Sequence, residues 1–158
     1  MMRILHILDH SIPLHSGYTF RTRAILEQQR RMGWETSQLT STKQGRTREQ
    51  REQVGELAFY RTQPSSGVVS RLPVINQLAV VSRLERRLAE VIPEVKPNLL
   101  HAHSPVLNGL AALRAARRFS LPLVYEVRAF WEDAAVDHGT GSEGGLRYRL
   151  TRALETHV

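Results

Sequence analysis

Short apolar runs alternate with helical patterns along this chain, and that alternation restricts its fold more than any other feature. Five runs have the composition of buried strands: residues 3–8, 34–40, 57–61, 98–105 and 121–127. Helical patterns lie between or after them: residues 19–32, 72–93, 106–119 and the C-terminal stretch. Strands that alternate with helices form a parallel sheet. The 158 residues therefore predict one α/β domain with right-handed crossovers and helices covering the sheet.

The helical patterns also predict which side chains are buried. In the first helix, four apolar residues lie near one face: Phe20, Ala24, Ile25 and Met32. In the second, residues that step by three or four form a face: Val74, Leu78, Val81, Leu84, Leu88 and Val91. In the third, Leu110 and Leu113 point inward. Gly33 suits a helix C-cap, Pro93 and Pro97 are expected to end the second helix, and polar residues 43–56 predict a mobile loop or frayed helix.

The formal net charge of +7 indicates either anionic partners or a solvated basic face. Aromatic residues are only 6% of the chain and are not interleaved with the basic clusters, which argues against a nucleic-acid partner. The absence of cysteine excludes disulfides and thiolate metal sites, and it favours a cytoplasmic protein. No signal peptide and no apolar stretch near the ~20 residues that span a bilayer are visible.

The loop HSIPLHSGYTFRT, residues 10–22, joins the first strand to the first helix. Gly17 lies just before the helix, where a glycine lets backbone approach a ligand and free N–H groups favour phosphate. Ser16 and Gly17 are therefore candidate substrate contacts, although a plain turn glycine would look the same. The loop has neither GxGxxG nor GxxxxGK[ST], so it gives no support to a dinucleotide or ATP site, and no cofactor is predicted.

His101 and His103 are two residues apart in a predicted strand, so their side chains share one face. Paired imidazoles can bind a metal, but carboxylates from other loops would have to complete the ligand set. We expect no metal: a histidine packed under the sheet beside one that contacts a sugar or phosphate fits better. Two satisfied structural histidines remain an alternative.

Glu126 and Arg128 end the last predicted strand with the same spacing. A charged pair at the end of an apolar strand needs partners, because unpaired burial is costly. The two could pair with neighbouring loops, or Arg128 could face a phosphate or carboxylate in a cleft. Trp131 could form a wall for a sugar ring or belong to the core. If the sheet is parallel, these residues, His103 and Gly17 lie along one edge around a shared cavity.

Three segments in this order resemble the N-terminal domain of family 4 glycosyltransferases, which have the GT-B fold: PLHSGYTFRT, PNLLHAHSP and LPLVYEVRAFWED. The match is nearest to the bacterial branch associated with exosortase systems and exopolysaccharide synthesis. The resemblance implies that residues 1–158 form a Rossmann-like, acceptor-side domain. The nucleotide-sugar domain would be absent, since the chain stops at Val158. It thus implies a fragment that is inactive alone.

The resemblance also implies roles for individual residues. Gly17 matches the loop glycine that approaches the donor phosphate or transferred sugar, and His103 matches a histidine of the acceptor cleft. Arg128 stands where many relatives have a histidine that touches the donor sugar. His103 and Arg128 are thus the expected catalytic residues, and Ser16, Gly17, His101, Glu126 and Trp131 the expected substrate contacts. Such enzymes retain anomeric configuration and rely on positioning and on the donor phosphate.

The partners implied are a nucleotide-sugar donor and a glycan or lipid-linked acceptor. Anionic lipid at the inner membrane face could attract a set of arginines: Arg83, Arg86, Arg87, Arg114, Arg117 and Arg118. Two other classes of function stay open at this point. One is a stand-alone basic module that binds anionic glycan or lipid, and the other is a metal-dependent hydrolase that uses His101 and His103.

Overall fold

The structure is a computed structural model. It describes the backbone of residues 1–64, 73–128 and 146–158, and their side chains except at 73–76, 146–148, 150 and 151. Trp131 and the side chain of Val74 lie outside the described residues. The elements, in chain order, are β1 (Arg3–Leu8), α1 (Gly17–Arg31), β2 (Glu35–Thr40), a 3-10 turn (Thr42–Gln44), β3 (Arg51–Val54), β4 (Leu57–Arg61), α2 (Pro73–Val95), β5 (Leu99–His103), α3 (Val106–Phe119), β6 (Leu123–Glu126) and α4 (Leu146–His157).

The strands form one six-stranded sheet in the order β3-β4-β2-β1-β5-β6. All neighbours are parallel except β3 and β4, which pair antiparallel. The predicted α/β architecture is therefore confirmed. Because five strands run the same way, their carboxyl ends meet at one edge, called the carboxyl edge below, where the loops after β1 and β5 and the end of β6 lie together.

The two faces of the sheet bury different side chains. On the α2–α3 face, strand residues such as Leu5, Leu39 and Leu100 pack against Leu84 and Leu88 of α2 and against a row of small residues on α3: Ala111, Ala112, Ala115 and Ala116. On the α1 face, the apolar cluster is small: Leu8, Leu26, Leu57 and Phe59. Alternate residues of each strand point to this face, and most of the others that do so are polar.

The apolar face predicted for the first helix is wrong. Phe20 and Met32 are 54% and 56% exposed, and Ala24 is exposed as well. The buried residues of α1 are instead Thr19, Thr22 and Leu26. The helix turns its hydroxyls inward because the sheet beneath it carries polar side chains that need hydrogen-bond partners. Gly33 follows the helix with φ +81°, which confirms the predicted C-cap.

Three other expectations need correction. Residues 43–56 contain the end of the 3-10 turn and the whole of β3, which pairs in register with β4 from Arg51↔Tyr60 to Val54↔Leu57. The polar composition suggested a loop, but β3 lies at the edge of the sheet, where a strand exposes one face to water and can carry polar side chains.

Pro93 does not end the second helix but lies inside α2, which continues to Val95. Because Pro93 lies close to the end of α2, it removes one backbone hydrogen bond from the last turns and does not terminate the helix. Leu78, expected to be buried, is 63% exposed, and Val80 is the first buried residue among the described side chains of α2. Within the described part of the chain, none of the helices combines the length and apolar composition that crossing a bilayer requires.

Candidate functional site

The loop after β1 is held in place by side chains that bind its backbone. The Ser41 hydroxyl donates to the carbonyl oxygen of Asp9 at 2.8 Å, and the Asp9 N–H donates to the Tyr18 hydroxyl at 3.1 Å. The Gln44 side-chain amide bonds Ser11 twice, accepting from its N–H at 2.8 Å and donating to its carbonyl at 3.2 Å. Four backbone groups of the loop are thereby fixed by side chains of other segments.

Arg61 makes a further attachment to this loop. Its side chain is fully buried, and its Nη2 donates to the Ile12 carbonyl at 2.6 Å. Its Nε donates to Glu52 Oε2 at 2.8 Å, and its guanidinium lies 4.4 Å from the centre of the Phe59 ring. An arginine can be buried here because a carboxylate and a carbonyl satisfy it. The loop is thus anchored to β4 as well as to the segment that follows β2.

The N-terminus of α1 opens at the end of this loop. Ser16 is the N-cap, and its Oγ accepts from the Thr19 N–H at 3.1 Å. Gly17 is exposed, does not have positive φ, and a Cβ placed on it would meet nothing within 4 Å. The backbone turn therefore does not require glycine here. Among the described residues, no partner binds the N–H groups of Gly17 or Tyr18. Such a terminus is suited to an anion.

His10 lies between Asp9 and Ser16 at the same place. Its Nε2 is 2.8 Å from Ser16 Oγ, and its Nδ1 is 3.3 Å from Asp9 Oδ2. Its ring stacks on Tyr18 with 4.9 Å between ring centroids. His10 and Asp9 are both partly exposed, so this group meets solvent at the carboxyl edge.

Behind the loop, a buried chain of hydrogen bonds joins α1 to the sheet. His6 Nε2 donates to Gln29 Oε1 at 2.8 Å, so its Nδ1 accepts from His103 Nε2 at 2.9 Å. The remaining nitrogen of His103, Nδ1, accepts from Arg128 Nη2 at 2.5 Å. Each donor meets an acceptor along this chain only if both imidazoles are neutral.

Burial supports the neutral state of both histidines. Desolvation is the main cause that lowers the pKa of His6 well below its usual value, and the neighbouring His103 adds to it. Burial likewise lowers the pKa of His103 to about 4, despite the opposing effect of Glu126. His101, which stacks on His103 with 4.1 Å between centroids, also has a pKa lowered by burial.

The Arg128 side chain is only 5% exposed because α1 covers it. Its Nη1 donates to the Tyr18 carbonyl at 3.1 Å and to Thr22 Oγ1 at 2.7 Å, and its Nε donates to Glu126 Oε1 at 3.2 Å. Together with the bond to His103, four hydrogen bonds hold the guanidinium inside the protein. The end of β6 is thus fastened to the first turns of α1.

Glu126 balances the positive charge around it. Its Oε1 also pairs with Arg21 Nη2 at 2.9 Å, while its Oε2 lies 3.0 Å from His103 Nδ1 and 3.3 Å from His101 Nε2. The pKa of Glu126 is lowered to about 2. The main cause is a hydrogen bond from His103, which acts only when Nδ1 carries a proton, and the charge of Arg128 lowers the pKa in either tautomer of His103. Glu126 is therefore a carboxylate that holds α1, β5 and β6 together.

Three histidines could in principle hold a metal ion, since nitrogens of His6, His101 and His103 lie within 4.8 Å of one another. The rings do not converge, however. His101 and His103 stack at 25°, so their in-plane lone pairs run side by side, and His6 and His103 share a hydrogen at 2.9 Å. As placed, the cluster fits a hydrogen-bonded stack better than a metal centre.

The structure brings Gly17, His103 and Arg128 to one edge, as predicted from the strand order. Arg128 contacts His103 directly and contacts Tyr18, the neighbour of Gly17. In the described part of the chain, the side chains of His103 and Arg128 are 0% and 5% exposed, and the shared cavity stays a prediction. Their catalytic roles, and the substrate contacts expected of the other residues, stay predictions.

Sequence reasoning missed several members of this network: His6, Tyr18, Thr22 and Gln29. Two signals were present. Tyr18, Thr22 and Gln29 recur at the helical spacing of a single face, and His6 alternates with apolar residues inside a buried strand.

A groove of about 770 Å³ lies beside the loop, between α1 and the turn from β3 to β4. Charged side chains line much of it: Arg23, Glu27, Arg30, Arg31 and Glu56. Arg23 pairs with Glu27 at 2.6 Å, and Arg30 Nη1 donates to the Glu56 carbonyl at 2.8 Å. Pro13 and His15 form the end of the groove nearest the loop.

Residues 16–158 match the protein family described as Glycosyl transferase 4-like domain. No curated protein matches the chain. Among solved structures, the chain is similar to a sucrose-phosphate synthase from Thermosynechococcus elongatus, with 15% identity and a TM-score of 0.70. That match covers 98% of this chain and 39% of the synthase, so this chain spans well under half of that protein.

Two further likenesses are weaker. The calicheamicin glycosyltransferase CalG4 has 11% identity and a TM-score of 0.52, over 99% of this chain and 40% of CalG4. The C-terminal domain of the PF1911 hydrogenase from Pyrococcus furiosus has 13% identity and a TM-score of 0.54, over 80% of this chain and 91% of that domain. Similarities at this level of identity show the fold alone, and the hydrogenase shows that the fold is shared across functions.

Proposed function

The chain belongs to the glycosyl transferase 4-like domain family, and from this premise we propose that it is the acceptor-side domain of a glycosyltransferase. In this proposal, residues 1–158 work with a donor-binding domain. Together they transfer a sugar from a nucleotide-sugar to a glycan or lipid-linked acceptor with retention of configuration. We place the protein in the cytoplasm, in exopolysaccharide synthesis of the exosortase-associated branch.

The observation that carries this proposal is the open N-terminus of α1. Gly17 has space around it, its N–H and that of Tyr18 are free among the described residues, and the backbone there does not need glycine. A glycine that the fold itself does not require is best explained by close approach of a ligand. Helix N–H groups stabilise a phosphate leaving group as negative charge develops on it.

In this reading His103 and Arg128 are positioning residues. Arg128 touches the first turns of α1 from within, through Tyr18 and Thr22, and His103 holds Arg128. The pair thereby fixes where Gly17 stands relative to β5 and β6. Ser16, Gly17 and the partly exposed His101 would contact substrate. The groove beside the loop offers an approach for an elongated acceptor.

Gly17→Val tests the proposal. Since none of the described residues meets a side chain at this position, we expect an unchanged melting temperature but at least a ~100-fold loss of sugar transfer in a protein that carries both domains. Ala24→Val, on an exposed turn of the same helix, is the matched control and should transfer sugar normally. Normal transfer by Gly17→Val would remove the assignment of this terminus to the donor phosphate.

A second candidate function rests on the basic surface of α2 and α3. Arg83, Arg86 and Arg117 have no ion-pair partner among the described residues, unlike Arg87 and Arg114, which pair with Glu90 and Glu85. A set of unpaired arginines could bind an anionic glycan, or hold the domain at the inner membrane surface. Flotation with anionic vesicles at low and high salt tests this: binding lost with added salt supports it, and no binding at low salt ends it.

A further inference from the structure

Asp9, His10 and Ser16 stand in the order carboxylate, imidazole, hydroxyl. The Asp9 Oδ2 to His10 Nδ1 distance is 3.3 Å, and the His10 Nε2 to Ser16 Oγ distance is 2.8 Å. With His10 Nδ1–H donating to Asp9, Nε2 is left as an acceptor for the Ser16 hydroxyl proton. The Thr19 Oγ1, 3.1 Å from Ser16 Oγ, is the other acceptor within reach of that proton, and His10 Nε2 at 2.8 Å is the nearer one. This is the hydrogen-bond arrangement that makes a serine nucleophilic, and such sets are recognised by geometry, not by order in the chain.

The loop that carries this set is preorganised. The backbone of Asp9 is held on both sides, its N–H by the Tyr18 hydroxyl and its carbonyl by the Ser41 hydroxyl. The His10 ring is oriented by stacking on Tyr18. Reacting groups that are fixed in this way avoid the loss of entropy that would otherwise accompany their alignment.

Donors for a developing negative charge stand next to Ser16. It is the N-cap of a 15-residue helix, and the N–H groups of Gly17 and Tyr18 have no partner among the described residues. None of the described residues occupies the space beside Gly17, so an electrophile could reach the hydroxyl without displacing any of their side chains. Backbone N–H groups beside a nucleophile are what an oxyanion requires.

We propose that Asp9, His10 and Ser16 form an acid–base relay that makes Ser16 Oγ a nucleophile toward carboxylic esters. Ser16 Oγ bonds to the ester carbonyl carbon while its proton passes to His10 Nε2. The carbon–alkoxy bond then breaks, the alcohol leaves with that proton, and the acyl group stays on Ser16. Water releases it as the carboxylic acid by the same steps. This chemistry needs no nucleotide-sugar, so it stands or falls independently of glycosyl transfer.

The experiment uses the 158-residue chain and a fluorophosphonate probe, in which the serine oxygen displaces fluoride from phosphorus. Mass spectrometry of the labelled chain should place the phosphonyl group on Ser16. His10→Gln should slow labelling by at least ~100-fold, the usual size of a general-base contribution. Asp9→Asn should slow labelling as well, since an amide at position 9 no longer fixes the tautomer of the His10 imidazole. His157→Gln, which changes an exposed histidine of α4 outside the set, should label at the normal rate.

Ser16 is also the N-cap of α1, so a variant that removes its hydroxyl must keep the cap. Ser16→Asp meets this requirement. Aspartate is also a strong N-cap, so this variant should fold and keep its melting temperature while losing the label. Equal hydrolysis of p-nitrophenyl acetate by the chain and by Ser16→Asp would overturn the proposal. Labelling that is spread over exposed serines such as Ser82, or that survives His10→Gln unchanged, would overturn it too.

Discussion

The two faces of the sheet solve the same packing problem with different chemistry. The α2–α3 face is closed by leucine, isoleucine, valine and alanine, with Leu84, Leu88 and Leu100 fully buried. The α1 face has four buried apolar residues in its cluster and, beside them, fully buried His6, His103 and Arg61. One face is held mainly by removal of apolar area from water, and the other by matched donors and acceptors.

The difference explains where the candidate site lies. Polar groups under α1 continue directly into the loop after β1, because Arg61, Arg128 and Tyr18 each contact its backbone or the first turn of the helix. An aliphatic face offers no directional bonds with which to fix a loop. The four predictions below separate the two faces, from the largest effect to the smallest.

Leu88→Ala on the α2–α3 face should lower the free energy of unfolding by about 4 kcal/mol, because it leaves a cavity in a dry core. The loss, measured by urea denaturation, should be the same at pH 7.5 and pH 5. Leu78→Ala, on the same helix but 63% exposed, should change stability by less than ~0.5 kcal/mol. Equal losses at the two positions would mean that this face is not the main hydrophobic core.

Acid should weaken the α1 face alone. The folded pKa of His103, about 4, lies below its unfolded value near 6.5, so the unfolded chain binds more protons between those values. Stability should therefore be intact above pH 6.5 and fall by about 3 kcal/mol as the pH drops to 4, with His6 adding in the same direction. Unfolding curves at several pH values measure this.

His103→Gln separates the contribution of His103 to the pH dependence of stability from the contributions of other titrating groups. This variant should be less stable at pH 7.5 and should lose the part of the slope between pH 6.5 and 4 that His103 contributes, with the part due to His6 remaining. His15→Gln, on an exposed position, should keep the whole slope. An unchanged slope in His103→Gln would show that the acid sensitivity has another source.

Arg128→Met should cost about 2 kcal/mol, because Glu126 and His103 lose a charged partner while their burial remains. Arg117→Met, on an exposed turn of α3, should cost less than ~0.5 kcal/mol. Thermal unfolding of the two variants compares them. If Arg128→Met were as harmless as the control, the fastening of β6 to α1 would be energetically irrelevant.

Gln38→Met should raise the free energy of unfolding by about 1 kcal/mol. Gln38 is fully buried on the α1 face, and neither side-chain amide atom has a hydrogen-bond partner among the described residues. Methionine has a similar shape without the desolvated amide. Gln28→Met, on the exposed side of α1, should leave stability unchanged in the same denaturation experiment. A destabilised Gln38→Met would mean that the Gln38 amide makes a stabilising hydrogen bond in the folded protein.

Much of the fold follows from local pattern. Strand and helix alternation predicted the parallel sheet, and β4 and α3 occur at the predicted bounds. The first helix shows the limit: its apolar residues suggested an inward Phe20, but the helix faces Arg128 and His103 with Thr22 instead. A helix cannot be oriented from its own sequence when the surface that it covers is polar.

By itself, the sequence determined the order of the elements and the placement of Gly17, His103 and Arg128 at the carboxyl edge, because period and turn chemistry are local properties. Only the tertiary structure decided which of those side chains meet solvent. That depends on the pairing of His6 with His101 across β1 and β5, and on how α1 lies over it. Register and helix rotation join residues about 100 positions apart, as His6 and His103 are, and no local pattern encodes such a contact.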